Sequence, residues 1–133
     1  MKVIDGYLMD TNIAITLLAG EQTSLEFAQQ ARDDRMSMYF SVITECEVFS
    51  GLKSEYRLHG IKLFNSRRCI EVNSQIARIA GDIRREQKEK GRKLKTPDAI
   101  IIATAIEYHL GMVSRDSDMN FIQEEFGLPL FTI

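Results

Sequence analysis

The chain has 133 residues, of which 44% are hydrophobic and 27% charged, with eight Gly and two Pro, a composition typical of one globular domain. This composition excludes a disordered or low-complexity chain, and no apolar run approaches the roughly 20 residues of a transmembrane helix. The formal net charge of −2, from 17 Lys and Arg against 19 Asp and Glu, argues against nucleic-acid binding, since proteins that bind phosphates are usually basic.

The amino-terminal segment and the cysteines indicate a compartment. Asp5 and Asp10 interrupt the apolar core that a signal peptide requires, so we expect a cytoplasmic protein. In a reducing compartment, Cys46 and Cys69 are predicted to be two buried free thiols rather than a disulfide. No linker, repeat or composition shift divides the chain, which predicts a single domain over residues 1–133.

Short apolar runs alternate with amphipathic segments, which predicts strands separated by helices. The first half contains predicted strands at 6–9 and 38–41 and predicted helices at 13–18, 24–34, 44–52 and 56–64. The second half contains predicted strands at 70–72, 111–114 and 129–133 and predicted helices at 74–90 and 96–108. Strands connected through helices form right-handed crossovers, so we predict a three-layer α/β/α fold with a short central parallel sheet.

Acidic residues follow predicted strands or lie at the start of predicted helices at four separate points of the chain. They are Asp10 after the first strand, Glu47 in the helix after the second, Asp98 at the start of an apolar helix, and Asp116 after the fourth strand. Functional sites of parallel sheets lie outside the carboxyl ends of the strands, so we expect these carboxylates to converge there. Each one alone is better explained as a helix cap or a solvated side chain, and the hypothesis depends on their convergence.

Four carboxylates in one place repel one another unless cations lie among them. Oxygen ligands without His or Cys favour Mg²⁺ or Mn²⁺ over zinc, and His59 and His109 are assigned structural roles. With two such ions, one activates water for attack on a phosphodiester and the other stabilises the leaving oxygen. The acidic residues therefore predict a metal-dependent phosphodiesterase.

Four motifs resemble those of PIN domains, and they occur in order along nearly the whole chain. They are Tyr7-Leu8-Met9-Asp10-Thr11-Asn12, Ser41 to Gly51, Pro97 to Ala105, and Met112 to Asp116. The size of the chain and the early position of the first motif are similar to the stand-alone VapC-type toxins of bacterial toxin–antitoxin pairs. The resemblance implies a PIN-like fold and an endoribonuclease that depends on Mg²⁺ or Mn²⁺ and acts on structured RNA, often tRNA or rRNA.

The resemblance also implies residue roles and partners. The acids that would bind one or two metal ions are Asp10, Glu47, Asp98 and Asp116. The residues that would support the site by hydrogen bonds are Thr11, Asn12 and Ser114. VapC-type toxins form homodimers and are inhibited by a cognate VapB-like antitoxin that inserts a peptide at the active site, so we expect both partners here.

Two positions leave alternatives. Glu45 and Glu47 both lie near the second motif, but the spacing to the other motif residues selects Glu47. Residues two apart on a helix do not face the same site, so only one of them can contribute. In the last motif Phe121 can be aligned in more than one way, which leaves Asp118 as an alternative or additional ligand to the favoured Asp116.

Positive charge is concentrated directly before Asp98. The basic residues there are Arg84, Arg85, Lys88, Lys90, Arg92, Lys93 and Lys95, with Glu86 and Glu89 among them. By itself the pattern fits a solvated helix face as well as it fits a phosphate-binding flank. Its position beside a candidate active-site acid favours the flank, in which we expect RNA to contact Arg92, Lys93, Lys95 and, from the fourth motif, Arg115.

Two other functions are compatible with parts of the pattern. One is a degenerate PIN-like module that binds RNA or protein without cleavage. The other is a phosphatase of the haloacid dehalogenase type, which requires a second aspartate where this chain has Asn12. The net charge does not exclude the nuclease, because one or two bound Mg²⁺ ions would change it to about 0 or +2.

Overall fold

The computed structural model describes residues 3–133, which contain five strands, seven α-helices and two 3₁₀ turns. The strands are β1 (Tyr7–Met9), β2 (Met38–Ser41), β3 (Arg68–Ile70), β4 (Gly111–Ser114) and β5 (Leu130–Thr132). The helices are α1 (Thr11–Leu18), α2 (Gln22–Asp33), α3 (Val42–Gly51), α4 (Arg57–Asn65), α5 (Ser74–Glu89), α6 (Thr96–Tyr108) and α7 (Phe121–Phe126). The 3₁₀ turns are Ser54–Tyr56 and Ser117–Met119. No helix in this part of the chain is long and apolar enough to cross a membrane.

All five strands are parallel and lie in the order β3-β2-β1-β4-β5. The central strand β1 pairs with β2 on one side and with β4 on the other, so that Leu8 lies opposite both Tyr39 and Met112. The chain moves outward from β1 to β3 and then returns to the other side of β1 as β4. The carboxyl ends of β1 and β4 therefore lie side by side at the point where the strand order reverses, which is where ligands bind in such sheets.

Alternate side chains of the two central strands contact opposite layers, as the pleat of a strand requires. Leu8 and Met112 are fully buried in a core formed with α5, α6 and the segment after β4. Met9 and Val113 are fully buried in a second core formed with α1, α2, α3 and α4. The predicted three-layer α/β/α architecture is confirmed.

Three helices start at the carboxyl edge of the sheet, and the first residues of each favour a helix start. The Asp10 carboxylate accepts a hydrogen bond from the Thr11 N–H at the start of α1, and Ser41 Oγ accepts one from the Ile43 N–H at the start of α3. Pro97 lies in the first turn of α6, where its missing N–H costs no helical hydrogen bond. These local signals start α1 and α3 directly after β1 and β2.

Three details differ from the sequence-based prediction. The third strand lies at Arg68–Ile70 rather than at 70–72, because Val72 packs against the core from a loop without pairing in the sheet. The short helix α7 and the turn before it were not predicted. Cys46 and Cys69 are free, but the prediction that both are buried is wrong, since Cys46 is exposed on α3 and Cys69 is partly buried.

Two glycines inside helices predict opposite effects of the same substitution. A Cβ atom at Gly81 in α5 would have no neighbouring atom within 4 Å, so Gly81→Ala should raise the free energy of unfolding by about 1 kcal/mol through helix propensity. A Cβ atom at Gly60 in α4 would lie 2.8 Å from Leu52 Cδ2 and 3.1 Å from Phe49 Cε1. Gly60→Ala should therefore lower the free energy of unfolding by about 1 kcal/mol, because overpacking of about 2 kcal/mol against the Leu52 and Phe49 side chains exceeds the same gain in helix propensity. Urea unfolding measures both values, and changes of the same sign would contradict this packing.

Candidate active site

Asp10 lies at the centre of the candidate site and is only 4% exposed. Its Oδ1 accepts a hydrogen bond from the Thr11 N–H at 2.8 Å, and its Oδ2 accepts one from the Ser114 hydroxyl at 2.7 Å. Burial raises the pKa of Asp10 above its ordinary value, although these two hydrogen bonds oppose the shift. The two hydrogen bonds thus fix the orientation of the carboxylate, while burial destabilises its ionised form.

The Ser114 hydroxyl connects the carboxyl ends of β1 and β4. It donates to Asp10 and accepts hydrogen bonds from Asn12 Nδ2 at 3.3 Å and from the Asp116 N–H at 3.0 Å. The Asn12 amide oxygen in turn accepts a hydrogen bond from the Arg115 N–H at 3.2 Å. A serine hydroxyl has one donor and two acceptor positions, and all three are used here. Side chains therefore hold the two strand ends in one arrangement.

Glu47 in α3 faces this centre, and Glu45 faces away from it. The Thr11 hydroxyl donates a 2.7 Å hydrogen bond to Glu47 Oε1 and lies 3.2 Å from the Thr44 hydroxyl. Glu45 instead contacts the thiol of Cys69 on β3, and burial together with this carboxylate raises the pKa of Cys69 to about 12. Of the two glutamates, Glu47 is therefore the one close to Asp10.

Asp98 lies in the first turn of α6 and is partly buried. Burial first, and then the carboxylates of Asp10, Glu47 and Asp116, together raise the pKa of Asp98 to about 6, while the charge of Lys95 opposes the shift. The four acids predicted to form the site are thus close enough to repel one another. The repulsion is a cost of the fold in the absence of a cation.

Asp116 and Asp118 occupy different positions in the cleft beside Asp98. Asp116 is partly buried, and its Oδ1 accepts a 2.9 Å hydrogen bond from the Asp118 N–H. Its carboxylate contributes to the raised pKa of both Asp10 and Asp98. Asp118 is exposed at the rim of a cleft of about 320 Å³ that Asp98 and Asp116 also line. This geometry favours Asp116 as the fourth acid.

The carboxylate oxygens of the site are the ligands that Mg²⁺ and Mn²⁺ prefer. Residues 3–133 contain no group of three or more His, Cys, Asp or Glu side chains already arranged to hold a metal ion. A hydrated Mg²⁺ or Mn²⁺ ion fits the site nevertheless, because such ions retain several waters and bind through one or two carboxylates. A cation between the carboxylates would also remove the repulsion that helps to raise the pKa of Asp98.

Both arginines predicted to bind RNA, Arg115 and Arg92, form ion pairs with glutamates of the same chain. The Arg115 guanidinium forms an ion pair with Glu21, with Nη1 2.7 Å from Oε2, and donates to the hydroxyl of the buried Ser24. These contacts connect the end of β4 to the start of α2. Sequence reasoning did not find Glu21, because no local pattern indicates a partner 94 residues away.

Arg92 is held by α7. Its Nη1 lies 2.7 Å from Glu125 Oε2, and its guanidinium lies 4.6 Å from the ring centre of Phe121. Lys90 also pairs with Glu125, and the hydrogen bonds from Lys90, Gln87 and Arg92 lower the pKa of Glu125 to about 2. In contrast, Lys93 and Lys95 line the cleft that contains Asp98 and Asp116, which we call the acidic cleft. Neither lysine has an ion-pair partner among residues 3–133.

Comparisons with known proteins agree with this architecture. The sequence of ribonuclease VapC10 from Mycobacterium tuberculosis is 29% identical over 98 residues, which cover 74% of this chain and 73% of that protein. A toxin–antitoxin complex from Klebsiella pneumoniae contains a chain 28% identical to this one, with a TM-score of 0.74 over 96% of this chain and 100% of that chain.

Two further solved structures share the fold at lower identity. VapBC2 from Rickettsia felis, bound to a DNA fragment from its promoter, has a TM-score of 0.78 at 19% identity and covers 96% of this chain and 98% of that chain. DNA-bound VapBC from Salmonella typhimurium has a TM-score of 0.78 at 20% identity and covers 98% of both chains. The family model of the PIN domain matches residues 7–124. The resemblance seen in the four motifs is confirmed, and this protein is a member of the PIN domain family.

Proposed function

We propose that this protein is an endoribonuclease that depends on Mg²⁺ or Mn²⁺ and hydrolyses phosphodiester bonds of RNA. The observation that supports the proposal most strongly is the meeting of four carboxylates, from four separate segments, at the point where the strand order reverses. Membership of the PIN domain family and similarity to a protein named as a ribonuclease support RNA as the substrate.

The four acids have different parts in the proposed mechanism. The side chains that would hold one or two ions are Asp10, Glu47, Asp98 and Asp116. When bound, the metal supplies an activated water and neutralises the charge that develops on the phosphodiester. The hydrogen bond from Ser114 fixes the orientation of the Asp10 carboxylate, and the hydrogen bond from Thr11 fixes that of Glu47. Asp98 must lose its proton before it can act as a ligand, and its pKa of about 6 allows this at neutral pH.

The basic residues of the cleft would position the substrate. Lys93 and Lys95 lie on the same cleft as Asp98 and have no ion-pair partner within residues 3–133. Their ammonium groups can bind phosphate oxygens next to the acids, which places the RNA backbone without recognition of its sequence. Arg92 and Arg115 support the walls of the site through Glu125 and Glu21 instead.

We further propose that the protein is the toxin of a type II toxin–antitoxin pair, with a VapB-like antitoxin as its partner. The solved relatives described as toxin–antitoxin or VapBC complexes support this role. An apolar cleft of about 380 Å³ next to Glu47 offers a surface for such a partner, and its lining includes Ile15, which is 53% exposed. Homodimerisation and action on tRNA or rRNA in the cytoplasm belong to the same proposal.

The first test is cleavage of total RNA by the purified chain with Mg²⁺, with Mn²⁺ and with EDTA. We expect metal-dependent cleavage that Asp98→Asn lowers by more than about 100-fold, because lost charge stabilisation of several kcal/mol corresponds to that factor. Glu47→Gln and Glu45→Gln form a matched pair two residues apart, and only Glu47→Gln should lower cleavage strongly.

Other outcomes of this assay contradict the proposal. Cleavage that persists in EDTA would exclude a metal-dependent mechanism. RNA binding without cleavage would support the degenerate module, and phosphate release from small esters would support the phosphatase. Equal losses in the two glutamate variants would show that the orientation of α3 does not select Glu47.

The raised pKa of Asp98 predicts that this carboxyl group makes the metal-free protein less stable at neutral pH than it would be with the group protonated. The pKa rises from 3.8 to about 6 on folding, so folding favours the protonated carboxyl. The resulting contribution to stability is complete below about pH 4 and is lost as the pH rises through about 6. Thermal unfolding in EDTA should therefore show Asp98→Asn to be more stable than the wild type at pH 7 by about 3 °C, with little difference at pH 4.

The effect of Asp98 can be distinguished from that of Glu125 in the same thermal unfolding experiments. Glu125, whose pKa is lowered to about 2, loses its stabilising contribution only as the pH falls below about 4.5, so it affects a different pH range. Added Mg²⁺ at pH 7 should raise the melting temperature of the wild type more than that of Asp98→Asn. A difference between the two proteins that does not change with pH would show that Asp98 is not held in a repulsive site.

A further inference from the structure

A second groove adjoins the acidic cleft, and the proposed chemistry does not use it. It lies between the second half of α5 and the loop that leads to α6, and it has a volume of about 660 Å³. Its lining residues are Gly81, Arg84, Arg85, Lys88, Gly91, Arg92, Lys93 and Leu94, and we call it the basic groove.

The lining of the basic groove is strongly cationic. Five of its eight residues are Arg or Lys, and none is acidic. Within residues 3–133, Arg84, Lys88 and Lys93 have no ion-pair partner. The pair between Arg85 and Asp82 is exposed on both sides, so it neutralises Arg85 only weakly. The groove therefore presents an uncompensated positive surface.

Hydrogen bonds and glycines give the basic groove a defined shape. Arg84 Nε donates a 3.1 Å hydrogen bond to the carbonyl oxygen of Leu94, which holds the guanidinium against the loop and leaves its terminal nitrogens available. A Cβ atom at Gly81 or Gly91 would meet no neighbouring atom within 4 Å, so both positions border open space. Gly91 also has a φ of +78°, a conformation that suits glycine and lets the chain turn at the end of α5.

The basic groove is adjacent to the acidic cleft. Arg92, Lys93 and Leu94 line both. Lys93 lies five residues before Asp98, so their Cα atoms are at most about 18 Å apart. A nucleic-acid strand advances about 3.4 Å per nucleotide, so the groove lies within about five nucleotides of a bond cleaved at Asp98.

We propose that the basic groove binds the phosphates of the RNA strand on one side of the cleaved bond. The proposal rests on the proposed ribonuclease function and extends the substrate contact from the cleft to a segment of several nucleotides. No aromatic side chain lines the groove, so it offers contacts to the backbone and no stacking surface for bases. Recognition at this groove is accordingly independent of sequence.

The first test measures binding without cleavage. The wild-type chain in EDTA is titrated against a fluorescently labelled, mixed-sequence RNA of about 20 nucleotides, and anisotropy gives the affinity at several salt concentrations. Two lost phosphate contacts reduce the salt slope by about 1.4, which corresponds to about 25-fold in affinity at 0.1 M salt. We expect this loss for Arg85→Gln/Lys88→Gln, since both residues line the groove and not the cleft. The control Lys53→Gln/Lys62→Gln, whose exposed lysines belong to the α3–α4 region, should not show it.

The second test separates charge from volume at Gly81. Gly81→Glu places a carboxylate three and four residues before Arg84 and Arg85, where it can pair with either on the helix surface. Gly81→Gln adds nearly the same volume without charge. We expect Gly81→Glu to lower RNA affinity about fivefold or more and Gly81→Gln to change it less than twofold, with circular dichroism confirming that both fold.

These experiments test RNA binding by the basic groove separately from the proposed cleavage activity. RNA affinity within twofold of the wild type in Arg85→Gln/Lys88→Gln, or an equal loss in its control, would overturn the inference. A loss of antitoxin binding with unchanged RNA binding would assign the groove to the antitoxin and overturn it as well. A chain that binds RNA through the groove but does not cleave it with Mg²⁺ would contradict only the proposed activity.

Discussion

Repulsion among four carboxylates is the physical constraint that governs the candidate active site of this protein. The sheet order places the ends of β1 and β4 together, and α3 and the start of α6 bring Glu47 and Asp98 close to them. The Ser114 hydroxyl fixes Asp10 in this arrangement although burial raises the pKa of that carboxyl. A fold gains no stability from such an arrangement unless a cation is bound, which is why the site indicates function rather than structure.

The distribution of charge explains why the net charge of −2 is a poor guide to function. Three aspartates lie in the cleft opposite the basic loop before α6, and the adjoining groove contains Arg and Lys without an acidic residue. Some cations near the cleft are neutralised inside the protein, since Arg115 pairs with Glu21 and Arg92 pairs with Glu125. Lys93, which has no ion-pair partner among residues 3–133, lies where the two surfaces meet. A formal sum over the chain contains none of this spatial information.

Local sequence signals predicted the parts of the fold that depend on neighbouring residues. Strands, helix starts and the positions of Asp10, Glu47 and Asp98 follow from apolar periodicity and from the rule that parallel strands present their carboxyl ends together. The partners of Arg115 and Arg92 lie 94 and 33 residues away in the chain, and no local pattern indicates such pairs. The apolar character of Val72 indicated a strand, although the residue is buried from a loop, so hydrophobicity alone did not fix the edge of the sheet.

The most direct test of the central claim is calorimetric titration of the wild-type chain with Mn²⁺ at about pH 6, in two buffers of different ionisation enthalpy. Because the pKa of Asp98 is about 6, a cation that binds among these carboxylates must displace protons at this pH. We expect Mn²⁺ binding with proton release in the wild type, weakened binding in Asp10→Asn and little proton release in Asp98→Asn. Absence of Mn²⁺ binding, or binding that is unchanged in both variants, would contradict the central claim.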